Sequence, residues 1–220
     1  MPGVEVKLVP HGSKLEVRVR GPNVTPGYWR EPELTRRVFD EDGFYSFGDA
    51  VRFVHPSDVN KGLLFDGRLA EDFKLGNGTW VSVGPLRAKI IGRFAPLVRD
   101  VVIAGLDRDY IAALIFPDVD ACRSLCADLP PDAPAAGVLR HGEVRATFLS
   151  LLKALAGEST GSSNRVARAI LAEEPPSLDA GEITDKGSFN QRAVLDRRKS
   201  IIEKMYAPEP SPDVLTIESK

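Results

Sequence analysis

Every second residue is apolar across Val4-Glu5-Val6-Lys7-Leu8-Val9 and again across Leu15-Glu16-Val17-Arg18-Val19-Arg20. Two such runs around the turn residues Pro10-His11-Gly12-Ser13 predict a β-hairpin. Gly21-Pro22 and Pro26-Gly27 then break the chain. Glu31-Pro32-Glu33-Leu34-Thr35 reads as a helix start, with proline in the first turn and acids at the positive end. Short strands are predicted at 44–46, 50–54 and 63–66. After Gly67-Arg68 the pattern changes. Glu71-Asp72-Phe73-Lys74-Leu75 and Thr79-Trp80-Val81-Ser82-Val83 flank Gly76-Asn77-Gly78, a second hairpin whose turn residues accept positive φ. Trp80 fits a core position there. Residues 85–91 suit a short helix, and residues 98–104 and 110–116 form two apolar strands around Asp107-Arg108-Asp109. Helical spacing follows at 119–129 and 142–156, a strand at 165–172 and a helix at 190–206. The order is βαββααβα, an α+β layer arrangement. The Pro/Ala-rich stretch 130–136 reads as a loop, and the proline-bearing tail 207–220 as disordered.

Composition narrows the function classes. With 29 Lys+Arg against 31 Asp+Glu, the formal charge is -2, so no basic excess exists to bind a phosphate backbone. Nucleic acid is therefore not an expected partner. No apolar run approaches a membrane span, and the first residues lack a charged segment followed by an apolar one. Cys122 and Cys126 lie four apart in a helical pattern. Two sulfurs alone do not make a zinc site, and buried thiols in a reducing cytoplasm are the expected reading. His11, His55 and His141 are scattered in turns or at a helix start and read as surface residues. No metal ligand is assigned.

The candidate chemistry sits in four segments. They are Gly43-Phe44-Tyr45-Ser46-Phe47-Gly48-Asp49, Phe65-Asp66-Gly67-Arg68, Lys74-Leu75-Gly76, and Gly181-Glu182-Ile183-Thr184-Asp185-Lys186-Gly187-Ser188. The last puts Lys186 on a flexible surface loop just ahead of a helix, a cation on a mobile arm. In this order and spacing, with Gly21-Pro22-Asn23-Val24-Thr25-Pro26-Gly27-Tyr28-Trp29 upstream, the segments resemble the C-terminal part of the acyl-adenylate-forming, AMP-binding superfamily. That superfamily includes acyl- and aryl-CoA synthetases. Gly67-Arg68-Leu69-Ala70-Glu71-Asp72-Phe73-Lys74, Gly78-Thr79-Trp80-Val81-Ser82-Val83-Gly84-Pro85-Leu86-Arg87 and residues 181–194 resemble the feruloyl-CoA synthases within it.

The resemblance implies an organisation. Residues 1–66 would be a small β-barrel-like remnant of the large adenylation domain, 67–70 a hinge, and 71–206 an α+β lid that rotates between two half-reactions. In the first, a carboxylate attacks the α-phosphate of ATP. In the second, the CoA sulfur displaces AMP. Lys186 matches the adenylation lysine, whose ammonium bridges the mutually repelling carboxylate and phosphate. Asp49 matches the aspartate that accepts hydrogen bonds from the ribose diol, and Arg68 the arginine beside the ribose. Lys74 and Gly76 belong to the hairpin beside the pantetheine, where glycine lets backbone approach a thin chain, and Trp80 either packs against that tunnel or fills the core, the core being favoured. The lysine is here flanked by Asp185 and Gly187, a departure from the Ser/Thr-Gly-Lys of the wider superfamily. The usual acidic or lysine hinge residue is Ala70. The phosphate loop, the acyl pocket and the residues handling Mg2+ are not found. An intact cytoplasmic ligase using ATP, CoA and a hydroxycinnamate would therefore need an N-terminal adenylation domain as partner, and this chain alone would be inactive. The alternatives are a non-catalytic module that complements a separate N-terminal half, or the lid of a ligase for another acid or for a carrier-protein thiol. The remnant should expose apolar surface that this domain would cover.

Overall fold

The computed structural model describes residues 2–217, and the chain divides after Asp72 into two compact units. The first is an open four-stranded antiparallel sheet in the order β1-β2-β3-β4, formed by β1 (Glu5–His11), β2 (Lys14–Arg20), β3 (Tyr45–Phe53) and β4 (Leu63–Arg68). Helix α1 (Pro32–Val38) lies in the β2–β3 connection. β1 and β2 pair from Glu5↔Arg20 to His11↔Lys14, with Gly12 at φ 59 in the two-residue turn. Pro10 is tolerated because β1 is an edge strand. The β-rich expectation holds, but the sheet does not close into a barrel. Its edges stay open because β1 and β4 do not pair.

The hinge expected at 67–70 falls within the first unit. Arg68 ends β4, and a 3-10 turn spans Leu69–Glu71. Lys14, 7% exposed, holds this segment to the first unit. Its Nζ lies 2.7 Å from Asp72 Oδ2 and donates to the Asp66 carbonyl at 2.7 Å. One buried cation thus holds both ends of the segment on β2.

The second unit opens with the two-residue strands β5 (Phe73–Lys74) and β6 (Trp80–Val81), followed by α2 (Val83–Phe94). Next come β7 (Val98–Ala104), β8 (Ile111–Pro117), α3 (Val119–Arg123), α4 (Ala135–Arg140), α5 (Gly142–Gly157) and β9 (Val166–Leu171). Helices α6 (Gln191–Arg197) and α7 (Lys199–Tyr206) precede β10 (Leu215–Thr216). The main sheet runs β10-β9-β8-β7, with β8 and β9 parallel and the other pairs antiparallel.

β8 is buried at all seven positions because helices cover both faces. Ile111, Ala113 and Ile115 point into one core, where Leu86, Ile90 and Phe94 of α2 meet Phe148 and Leu152 of α5. The three-and-four spacing of these residues is what made both helices readable. Ala112, Leu114 and Phe116 enter a second core with Val194, Ile202 and Met205 of α6 and α7. Cys122 and Cys126 are buried free thiols, and burial pushes the Cys122 thiol up to about 12.

Four expectations need correction. The helix at 119–129 ends at Arg123, and the loop at 130–136 gives way to α4 from Ala135. The helix at 190–206 is two helices, broken at Arg198 (φ -96, ψ 26), whose side chain turns inward. The tail is not disordered over its described part. Val214, Leu215 and Ile217 are at most 8% exposed, and β10 adds to β9 with Ile217 N donating to the Ala167 carbonyl at 2.9 Å. Its prolines exclude helix yet permit an extended approach, and the apolar residues after them supply the burial. Residues 218–220 of the predicted tail lie outside the described residues.

Gly105, just after β7, fixes how the small hairpin docks. A Cβ there would lie 2.7 Å from Phe73 Cε2 and 3.2 Å from Leu75 Cδ2. Gly105→Ala should therefore destabilise the second unit by about 1–3 kcal/mol, measured by urea unfolding. A wild-type midpoint would show that Phe73 moves aside freely.

Candidate functional site

The five residues singled out from sequence occupy three places. Asp49 and Arg68 face each other as cross-strand partners on β3 and β4. Gly48, at φ 76, precedes a bulge that offsets the ladder between Asp49 and Val51. This local break tucks the Asp49 carboxylate inward while Arg68 stays in solvent, their side chains being 25% and 67% exposed. The pair is loose, with Arg68 Nε 3.8 Å from Asp49 Oδ1. That oxygen is buried and accepts no hydrogen bond among the described residues. Burial pushes the carboxyl up, and the Arg68 charge pulls it partly back. An acceptor left without a donor costs free energy in the isolated fold. It is the kind of group a hydroxyl-bearing ligand satisfies.

Lys74 and Gly76 meet on the β5–β6 hairpin. Lys74 pairs with Trp80 across the ladder, and its Nζ sits 5.9 Å from that ring's centroid. The indole is half-exposed, beside Pro85, Lys89 and Asn164 at a shallow cavity, so Trp80 is not the core residue its pattern suggested. The hairpin is clamped to the β7–β8 turn. Gly76 N donates to the Arg108 carbonyl at 2.8 Å, and Asp107 N to the Lys74 carbonyl at 3.0 Å. Leu75, 2% exposed, anchors it in the core. A Cβ on Gly76 would come no closer than 3.4 Å to any neighbour, ordinary contact. Nothing inside the fold requires glycine at this exposed position.

Lys186 stands on a third element. Its loop is a closed turn rather than a loose arm. Ile183 and Phe189 form a bridge, Thr184 N donates to the Ser188 carbonyl at 2.9 Å, and Gly187 N donates to the Thr184 carbonyl at 2.9 Å. Gly187 at φ 79 lets the turn close. Lys186 is exposed at its tip and makes no ion pair among the described residues. Sequence reasoning missed what holds the stem. Glu182 is fully buried and ion-paired to Arg198, itself 5% exposed. A single glutamate in a turn segment and one of two adjacent arginines in a helical run gave no pattern to separate them from solvated neighbours.

Residues 73–210 fit the AMP-binding enzyme C-terminal domain. The chain belongs to that family. Among curated relatives of this AMP-binding C-terminal domain, the probable acyl-activating enzyme 16, chloroplastic, of Arabidopsis thaliana is 25% identical over 207 residues. That match covers 90% of this chain and 28% of the relative. The long-chain-fatty-acid–[acyl-carrier-protein] ligase AEE15 of the same plant is 24% identical over 224 residues, 94% of this chain and 28% of the relative. The adenylation domain of a carboxylic acid reductase from Segniliparus rugosus, solved with AMP and a co-purified carboxylic acid, superposes with a TM-score of 0.72 at 26% identity. It covers 93% of this chain and 32% of that one. The chain thus spans under a third of each relative's length. No helix among the described residues is long and apolar enough to cross a membrane.

Proposed function

We propose that this chain carries the ribose-contacting strand and the lid of an ATP-dependent, AMP-forming acid–thiol ligase. The observation that carries the reading is the buried Asp49 oxygen without a donor, next to the half-free Arg68. A carboxylate accepts two hydrogen bonds side by side and suits a vicinal diol, so the residues present fit the ribose of ATP or AMP. In this reading Asp49 accepts from the ribose hydroxyls and Arg68 lies along the nucleotide. Lys186 places its ammonium between the acid's carboxylate and the α-phosphate. Gly76, exposed on the hairpin, takes the place beside the pantetheine of CoA, with Lys74 next to it. Among the described residues no group of three or more His, Cys, Asp or Glu gathers to hold a metal, so no step is assigned to Mg2+.

The first unit supports a large adenylation domain as partner. Phe65 is 64% exposed, with Phe47, Leu63 and Leu64 on β3 and β4 and Val54 just after β3 also exposed. For the acid we propose a hydroxycinnamate such as ferulate, on the feruloyl-type phrases at residues 67–74, 78–87 and 181–194. A cytoplasmic ligase fits the two buried free thiols. A second reading, favoured by the acyl-carrier-protein ligase among the relatives, makes a carrier-bound thiol the acceptor in place of CoA.

The test is acid-dependent pyrophosphate exchange by a protein that joins this chain to an adenylate-forming domain. Ferulate, coumarate, benzoate and fatty acids are compared, followed by transfer to CoA or to a carrier thiol. Ferulate should give the fastest exchange and CoA the faster transfer, and Asp49→Asn should raise KM for ATP roughly tenfold through one lost charge-assisted bond. Fastest exchange with a fatty acid would discard the hydroxycinnamate. No exchange with any acid would discard the ligase.

A further inference from the structure

We propose that the buried Glu182–Arg198 pair positions Lys186, resting on the reading above for what Lys186 does. Glu182 begins the stem of the lysine turn, and Arg198 occupies the break between α6 and α7. Arg198 Nε donates to Glu182 Oε1 at 2.7 Å and Nη2 to Oε2 at 2.9 Å, a two-pronged contact. The carboxylate also accepts from Ser177 N at 2.8 Å and lies 3.0 Å from Arg197 Nη1. The remaining donors of Arg198 reach the carbonyls of Glu174 at 2.9 Å and Pro175 at 2.7 Å. One guanidinium therefore ties the segment where it leaves β9 and where it enters the turn.

The stem is closed behind this anchor. Asn190 N donates to the Glu182 carbonyl at 2.9 Å, and Glu182 N to the Ser177 carbonyl at 3.0 Å. The guanidinium carbon sits 5.0 Å from the Phe116 centroid, and Phe116 meets Phe189 edge-on at 4.9 Å. Phe189 is the far side of the Ile183 bridge. Both legs of the Lys186 turn thus end on the same buried hub. A buried ion pair adds little stability over well-packed apolar residues of the same size. What a planar fork with fixed directions adds is orientation, which a lysine in the same place does not reproduce. Only Ile183, Thr184 and Asp185 separate Glu182 from Lys186, and only Gly187 and Ser188 separate Lys186 from Phe189, so a few degrees of rocking at Glu182 is transmitted to Lys186.

Amide hydrogen exchange on the 220-residue chain tests the positioning by itself. The neutral, volume-matched double variant Glu182→Gln with Arg198→Met avoids stranding a buried charge, and Arg198→Lys keeps the charge but loses the fork. Both should speed exchange at Thr184, Gly187, Ser188 and Asn190 by tenfold or more, while Ala113 and Leu114 of β8 keep wild-type protection. Unchanged exchange at the four turn amides overturns the proposal. Arg198→Lys is then placed in the protein with its adenylate-forming domain. Adenylation kcat should fall about tenfold at constant KM for ATP, with thioester formation from supplied acyl-adenylate unchanged. Faster exchange with unimpaired adenylation would leave the positioning standing and overturn the role given to Lys186.

Discussion

Lys186→Ala, in a protein that joins this chain to an adenylate-forming domain, should lower acid-dependent pyrophosphate exchange by roughly 10²–10³-fold, the cost of removing one pre-placed charge from a phosphoryl-transfer transition state. Transfer of a supplied acyl-adenylate to the thiol should keep most of its rate, because no carboxylate–phosphate repulsion remains to be offset. The fold should be unaffected. The side chain is exposed at a turn tip and makes no ion pair among the described residues, so its loss removes no packing. Gly76→Ala is the matched reverse. The alanine methyl fits the fold at 3.4 Å from its nearest neighbour. A drop confined to the thiol step would then report a ligand excluded from that backbone. Equal loss of both half-reactions in the Lys186 variant would overturn its assignment.

The sequence resolved this architecture where burial is one-sided and periodic. α2 and α5 show their core faces at helical spacing, and the β1–β2 hairpin shows strict alternation around a two-residue turn. The candidate residues were chosen for a different reason: they stand in short phrases whose order and spacing resemble a family. What escaped were structures made by single long-range contacts. β10 depends on a few apolar residues finding the free edge of β9 after a proline-rich stretch. The break between α6 and α7 depends on Arg198 leaving the helical face to reach Glu182, sixteen positions earlier. The boundary after Asp72 depends on Lys14, far away on β2. None leaves a local periodicity. In the last two a charged residue, which composition assigns to solvent, is buried with its partner.

Loss of the Glu182 carboxylate should have the largest effect on stability. Glu182→Ala leaves Arg198 buried without its counter-charge and should destabilise the second unit by about 3–5 kcal/mol. The pH dependence separates this charge from mere packing. The Arg198 guanidinium, the Ser177 amide and Arg197 hold the Glu182 carboxyl at about 2, against an ordinary 4.5. The unfolded chain therefore takes up this proton first as pH falls. The stabilisation is fully present above about pH 5 and is lost progressively as pH drops from there through 2, some 3 kcal/mol in all. Glu182→Gln has no such proton to take up. Urea unfolding of both proteins, followed by Trp80 fluorescence in a Trp29→Phe background, reads the second unit alone, since Trp29 is 85% exposed on the first. The wild-type advantage should be greatest at neutral pH and shrink steadily below pH 5, until the two curves meet near pH 2. Parallel curves across that range would mean that Glu182 acts by shape and not by charge, and that the hub beneath Lys186 is not an ion pair in solution.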